Sequence, residues 1–261
     1  MAFDLSSIKS GRESKPPRVI IASPEKIGKS TFAAAFPDPI LLPIVNETGI
    51  DEIDGKKAPV SVAFKGANSI LEKLEWLATA EHEFKTVVID SLTTLEPLVH
   101  VETCKRYGVD SIELVLKGFG KGYIEACTDW RDLQAPLDYL RDNRGIGCVL
   151  TTHIKLKKFN DPMAAEPYDA YTLSLNDLAA EQLSRWADCV LFANIKTYSS
   201  KVGEKGGQKI VHATGNGERK LYTEKRGSHP GGCRRSLPYE LPFTYAAFAD
   251  AYAKASAGVP K

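Results

Sequence analysis

The chain has 261 residues, 43% of them hydrophobic and 26% charged, with a formal net charge of +1. That composition excludes a disordered or low-complexity polypeptide and leaves ample chain to bury a core. The near-neutral total demands neither nucleic acid nor a membrane surface as partner, although a total does not describe how charge is distributed.

Residues 1–17 are polar, end in Lys15-Pro16-Pro17 and read as a loose arm without the apolar core of a secretory signal. One domain is expected over 18–254, with 255–261 as a tail. Arg18 to Ala22 (RVIIA) is a short β-branched run, the pattern of a buried strand. Ser23 to Ser30 follows as SPEKIGKS, and Lys29 to Phe36 (KSTFAAAF) reads as a helix stopping at Pro37. A strand, a loop and a helix start in this order fit the phosphate-binding pattern G-x-x-x-x-G-K-[ST]. Gly28, Lys29 and Ser30 match it; Ser23 replaces the opening glycine, and Lys26 sits where a small residue is common. Backbone N–H groups at such a turn point at phosphate oxygens, so Ser23, Pro24, Glu25, Lys26, Ile27, Gly28, Lys29, Ser30 and Thr31 are the nucleotide-binding candidates. Lys29 suits the outer phosphates and their chemistry, the Ser30 hydroxyl suits Mg²⁺, and Thr31 suits the inner phosphate. ATP and Mg²⁺ are the expected ligands.

Ile40 to Val45 (ILLPIV) is a second apolar run, expected to be irregular or at an edge because of Pro43. Glu47 follows it. A carboxylate at the C-terminal edge of such a strand faces the ligand crevice, which makes Glu47 the candidate to orient an attacking water. Val60 to Phe64 reads as a short strand, and Ser69-Ile70-Leu71-Glu72 as a capping box opening a helix. Thr86 to Asp90 (TVVID) is a third apolar strand whose Asp90 would hold Mg²⁺ beside Ser30, followed by a helix to about Arg106. The strand ends in Asp-Ser with no adjacent glutamate, so the base must come from elsewhere. Residues 117–122 (KGFGKG) form a glycine-rich loop, and Tyr123 to Asn143 a long helix despite Pro136.

Gly147 to Thr152 (GCVLTT) is a fourth strand, and His153 at its end is placed to sense the γ-phosphate, with Thr151 and Thr152 in support. Residues 154–172 read as a loop with a hairpin option. Lys155, Lys157, Lys158 and Phe159, with Tyr168 and Tyr171, offer cations for backbone phosphates and rings for unpaired bases. Asn176 to Trp186 is a helix and Asp188 to Ala193 a fifth strand. Lys209 to Ala213 and Arg219 to Thr223 flank Gly215-Asn216-Gly217 and are expected to pair as a C-terminal hairpin. Tyr245 to Lys254 closes the chain as a helix. Arg219, Lys220, Lys225, Arg226, Arg234 and Arg235 form a basic cluster suited to DNA or to a subunit contact. The five cysteines, at 104, 127, 148, 189 and 233, make no CxxC pair, and Cys148 and Cys189 read as buried thiols. No apolar run approaches the ~18 residues of a membrane span. Alternating helices and strands apolar on both faces give an α/β fold: a mostly parallel, doubly wound sheet flanked by helices.

Taken together, the P-loop, Glu47, Asp90-Ser91 and His153 resemble the RecA-like ATPases. More closely, the chain is similar to the short phage proteins built from a RecA core, the Sak-type single-strand annealing proteins. The matching stretches are the P-loop, NETGID (46–51), VVIDSLTTLE (87–96), GFGKGY (118–123), TTHIK (151–155), WADCVLF (186–192), RKLYTE (219–224) and RRSLPYELP (234–242). The resemblance implies a catalytic glutamate at Glu47, a sensor at His153 and a DNA loop at 154–172. It also implies ATP-dependent binding of single-stranded DNA by a homo-oligomer and work alongside a single-strand-binding protein. Location would be the cytoplasm, that of the host cell for a phage protein. Arg234 and Arg235 stand near the place of basic residues that reach a neighbour's ATP. The expected function is a recombination ATPase that promotes annealing or strand pairing. A non-hydrolysing nucleotide switch or scaffold is the alternative that the substituted P-loop favours. A small-molecule kinase is less suited, for want of a clear lid.

Overall fold

The computed structural model describes residue 13 and residues 15–163, 165–205, 208–214 and 217–257. Most of the expected N-terminal arm (1–17), the end of the expected tail (255–261) and Gly215-Asn216 of the expected turn lie outside the described residues.

In chain order, β1 (Arg18–Ala22) leads through the phosphate loop into α1 (Lys29–Ala34). Next come β2 (Pro39–Pro43), a two-residue β3 (Lys56–Lys57) and α2 (Ile70–Thr79), whose Ser69 cap accepts from Glu72 N at 3.0 Å. β4 (Thr86–Asp90) hands over to α3 (Leu92–Tyr107) through the Ser91 cap. A 3-10 turn (Ile112–Lys117) leads into α4 (Lys121–Asn143), which continues through Pro136. β5 (Gly147–Thr152), β6 (Ile154–Phe159), β7 (Tyr168–Leu173), α5 (Asp177–Trp186) and β8 (Cys189–Ile195) follow. The last elements are β9 (Tyr198–Lys205), β10 (Gln208–Thr214), β11 (Arg219–Tyr222), β12 (Gly232–Cys233), β13 (Glu240–Pro242) and α6 (Tyr245–Ser256).

The main sheet has the order β13-β11-β8-β1-β5-β4-β2-β3, with β12 also paired to β8. β8, β1, β5, β4, β2 and β3 run parallel; β11, β12 and β13 add antiparallel pairs at one side. The period-2 alternation sends each central strand's side chains to two cores. Ile20, Val87, Ile89, Cys148 and Leu150 face α2, α3, α4 and α5, around the fully buried Trp130. Val19, Ile21, Val88 and Val149 face α1 and α6, where Phe32, Phe36 and Phe248 pack edge-on or tilted. Full burial of each such aliphatic side chain stabilises by roughly 1.5–3 kcal/mol against exposure. At the N-terminal edge of the parallel strands, the buried Asp188 carboxylate receives the Arg18 backbone N–H at 2.9 Å and the Arg18 guanidinium at 3.0 and 3.2 Å. Arg141 adds an ion pair at 3.3 Å. Among the described residues no helix is long and apolar enough to cross a membrane, and the five cysteines are free thiols, with Cys148 and Cys189 buried as expected.

The fold class is the expected one; four local expectations are corrected. β2 is regular and lies inside the sheet, because Pro43 is its last residue and costs no ladder donor within the strand. Val60 to Phe64 makes only two isolated bridges, Ser61 to Ile44 and Ala63 to Ser69, instead of a strand. Residues 154–173 form a ladder from Ile154↔Leu173 to Phe159↔Tyr168, so the hairpin option holds and the loop does not. The C-terminal hairpin exists with a different partner: β10 pairs back to β9, and β11 joins the main sheet between β8 and β13. The hydrophobic Leu221 suits this place, since beside β8 it is fully buried in the core under α1 and α6.

Candidate nucleotide site and the groove beside it

The loop after β1 closes over the carboxyl ends of β1, β5 and β4, where ligands of parallel sheets sit. Gly28, at φ +105°, makes the turn into α1, a conformation that costs a residue with a Cβ. Lys26 takes a left-handed φ of +57° at the loop tip. Ser23, fully buried, is accommodated where glycine is usual: its N–H donates to Thr152 O at 3.3 Å and its hydroxyl to Pro24 O at 2.8 Å.

Lys29 is 7% exposed, and its Nζ lies 3.1 Å from Pro24 O and 3.3 Å from His153 Nδ1. Burial pushes this ammonium below its ordinary value, while Asp90, Glu47 and Glu25 pull the other way. The Ser30 hydroxyl donates to Asp90 Oδ2, and Thr151 Oγ1 donates to Asp90 Oδ1. Glu47 accepts from Ser91 Oγ at 2.8 Å, with His153 Nε2 3.9 Å away. The His153 imidazole, helped by the Ser91 hydroxyl, holds the Glu47 carboxyl below its ordinary range, against the opposite push of burial. A Cβ on Gly49 would stand 3.7 Å from Ser30 Oγ and 4.0 Å from Glu47 Oε1, so hydroxyl and carboxylate flank one small gap. His153 is fixed from behind by Thr93, whose hydroxyl accepts from His153 N at 3.0 Å and contacts Thr152 Oγ1 at 3.1 Å.

The structure thus brings together Lys29, Ser30, Asp90, Glu47 and His153, five residues drawn from four separate stretches of sequence. Ser91, read from the sequence only as part of the Asp-Ser ending, and Thr93, not singled out at all, prove to be part of the site. The Asp-Ser ending carried the signal for Ser91, while Thr93 becomes visible only when α3 is laid beside β5.

The DNA-binding candidates stand on β6, directly after His153. Lys155 Nζ donates to Leu175 O and Lys157 pairs with Asp177, so both are engaged within the fold. Lys158 lies across from Asp169, and Phe159 stacks on Tyr168 with centroids 6.3 Å apart. The hairpin, α5 and residues 225–234 enclose a groove of about 1160 Å³. Lys225, Arg226 and Arg185 bring cations to it, Tyr168 and Tyr171 bring rings, and Asp161, Asp177 and Glu181 bring carboxylates. Tyr171 N donates to Ser228 O at 2.9 Å, tying the two walls. Arg234, at the end of the same groove, and Arg235 stand beside β12 at the N-terminal edge of the parallel strands. Arg234 pairs with Asp188 at 3.4 Å and Arg235 covers the Tyr252 ring at 4.6 Å, so each is tied within its own chain.

Compared with known proteins, residues 15–235 match the model of a family described as an AAA domain. No curated protein matches the chain. Among solved structures, it is similar to a prototypical ATPase from the type III secretion system of pathogenic bacteria, at 14% identity and a TM-score of 0.42. That alignment covers 67% of this chain and 50% of the other, so the chain spans about half the length of that protein.

Proposed function

The chain belongs to the AAA domain family of P-loop ATPases, and from that premise we propose that it hydrolyses ATP with Mg²⁺ and uses nucleotide occupancy to govern a groove for single-stranded DNA. The activity served would be recombination, by annealing or strand pairing. One observation carries the reading: His153 lies 3.3 Å from Lys29, 3.9 Å from the Glu47 carboxylate, and one residue before the strand that walls the groove.

Mg²⁺ suits the donor set. Ser30 Oγ and Asp90 Oδ2 are oxygen donors already in contact, and this cation takes few protein ligands, filling its shell with phosphate oxygens and water. When bound, it would neutralise charge on the outer phosphates. Lys29 would exchange its Pro24 carbonyl for an anionic phosphate oxygen, a stronger contact because both partners are charged. Thr151 would keep the Asp90 carboxylate aimed at the metal. Glu47, kept ionised by His153 and Ser91, would accept a hydrogen bond from the attacking water and orient it. In the groove, Lys225 and Arg226 would meet backbone phosphates, with Lys158 on the other face of β6, and Phe159 and Tyr168 would stack on bases.

The test is steady-state ATP hydrolysis with and without single-stranded DNA, with Lys29→Ala in parallel. Turnover that rises with DNA and vanishes in Lys29→Ala is expected. Turnover indifferent to DNA, with no DNA binding at low salt, would remove the recombination role. ATP retained without turnover would identify a nucleotide switch instead, and phosphoryl transfer to a nucleoside or sugar a kinase.

A further inference from the structure

Lys29, Ser30, Asp90 and Glu47 all serve one flank of the phosphate loop, the side of β5, β4 and β2. The opposite flank of β1 carries β8 and then β11, and the first residue of β11 is Arg219. A Cβ built on Gly28 would stand 3.4 Å from Arg219 Nη1 and 3.8 Å from the Phe243 ring, so the guanidinium reaches the loop itself. Its backbone is fixed twice: Arg219 is in register with Ile195 of β8, and Arg219 O accepts from Phe243 N at 3.3 Å. Phe243 in turn stacks on Phe32 of α1, centroids 5.0 Å apart and planes 16° from parallel. Neighbouring cations are neutralised: Lys220 pairs with Glu218 and Glu240, and Lys196 with Glu240. Arg219 is exposed, and among the described residues no carboxylate pairs with its guanidinium. A planar, permanently charged group without a carboxylate at a phosphate loop is suited to bidentate phosphate recognition.

We propose that Arg219 contacts the nucleotide in cis, its guanidinium pairing with the inner phosphates on the flank of the loop that Lys29 and the metal ligands leave uncovered. The inference rests on the ATP-binding reading and adds a residue that holds the diphosphate end, the part shared by substrate ATP and product ADP.

Equilibrium titration of ATP and of ADP into wild type, Arg219→Ala, Arg219→Gln and Lys29→Ala tests it, with thermal melting to verify folding. Arg219→Ala and Arg219→Gln are expected to weaken ATP and ADP alike by about tenfold to a hundredfold, the range of a hydrogen-bonded charge, with melting unchanged. Arg219→Lys should recover part of the loss. Unchanged affinity in both Arg219 variants, with affinity lost in Lys29→Ala, overturns the inference and leaves the ATP-binding reading standing. Loss confined to ATP also overturns it, since that places the contact on the γ-phosphate. Mixing Arg219→Ala with Lys29→Ala separates cis from trans: affinity restored by mixing means that a neighbour supplies the arginine, which overturns the cis assignment. A wild type that binds neither nucleotide sinks the ATP-binding reading together with this inference.

Discussion

Glu47 is half-buried, and two neighbours keep it ionised. His153 contributes the larger effect and Ser91 the smaller, both against burial. Its folded pKa lies below the ordinary glutamate value, so the acid limb of kcat against pH should fall below the usual carboxylate range. Removing His153 by His153→Ala leaves burial less opposed, and that limb should move to higher pH; a pH–kcat profile reads it. Glu47→Gln keeps the shape without the base and should retain ATP affinity while turnover drops by about 10²- to 10⁴-fold, as measured by parallel binding and hydrolysis assays. Gly28 faces a different constraint. Its φ of +105° strains any L side chain, although the new methyl would only come into ordinary contact with Arg219 and Phe243. Gly28→Ala is therefore expected to destabilise by about 1 kcal/mol and to lose nucleotide affinity, seen in melting and titration respectively.

The β6–β7 hairpin is the element where the proposed DNA role can be dissected. Lys157 is held by Asp177 and Lys155 by Leu175 O, so neither ammonium is free for a phosphate. Lys225, which lines the groove, and Lys158, on the face of β6 turned away from it, are the freer cations. Under the proposed function, Lys158→Glu with Lys225→Glu should weaken single-strand binding and flatten its salt dependence by about 0.7 for each DNA phosphate no longer neutralised; binding titrations across salt check this, with Lys157→Ala as the milder control. Some elements were legible because their signals are local. RVIIA followed by GKS, and TVVID followed by a helix, each carry strand, turn and helix within a dozen residues. β11 was not. RKLY says strand, but not that it joins the main sheet, where Leu221 is buried beside β8, instead of folding back on β10. That pairing brings Arg219 to Gly28 across nearly 200 positions of sequence, a contact that no periodicity can announce. The glycine-rich turn at 215–217 misled for the same reason, since a good turn signal names two strands without saying whether they pair.

Across the whole molecule, the two ends of the parallel sheet do different work. The carboxyl ends carry the nucleotide site; the amino ends are bound by Arg18, Asp188 and Arg141. Burial pushes the Asp188 carboxyl up, but hydrogen bonds from Arg18 and the charge of Arg141 hold it below its ordinary value. Its contribution to stability is therefore present above the unfolded carboxylate pKa and lost as pH falls through the depressed folded value. Asp188→Ala should cost about 3 kcal/mol by leaving the Arg18 and Arg141 charges there short of a partner, and should flatten the acid side of the stability curve in denaturant melts at several pH values. With the site at the other end, nucleotide affinity of the folded variant should hold. Between the two ends, β5 continues into β6 through the single residue His153. Six residues at about 3.3 Å each give β6 a length of about 20 Å, and under the proposed function its pivot would be His153, beside the nucleotide. A tilt of about 10° at that pivot would swing the Phe159 tip through about 3.5 Å, close to the ~3.4 Å spacing of successive nucleotides along a DNA strand. Under the proposed function, the histidine would stand at the fulcrum of a lever, turning a small adjustment at a phosphate into a displacement the length of one base.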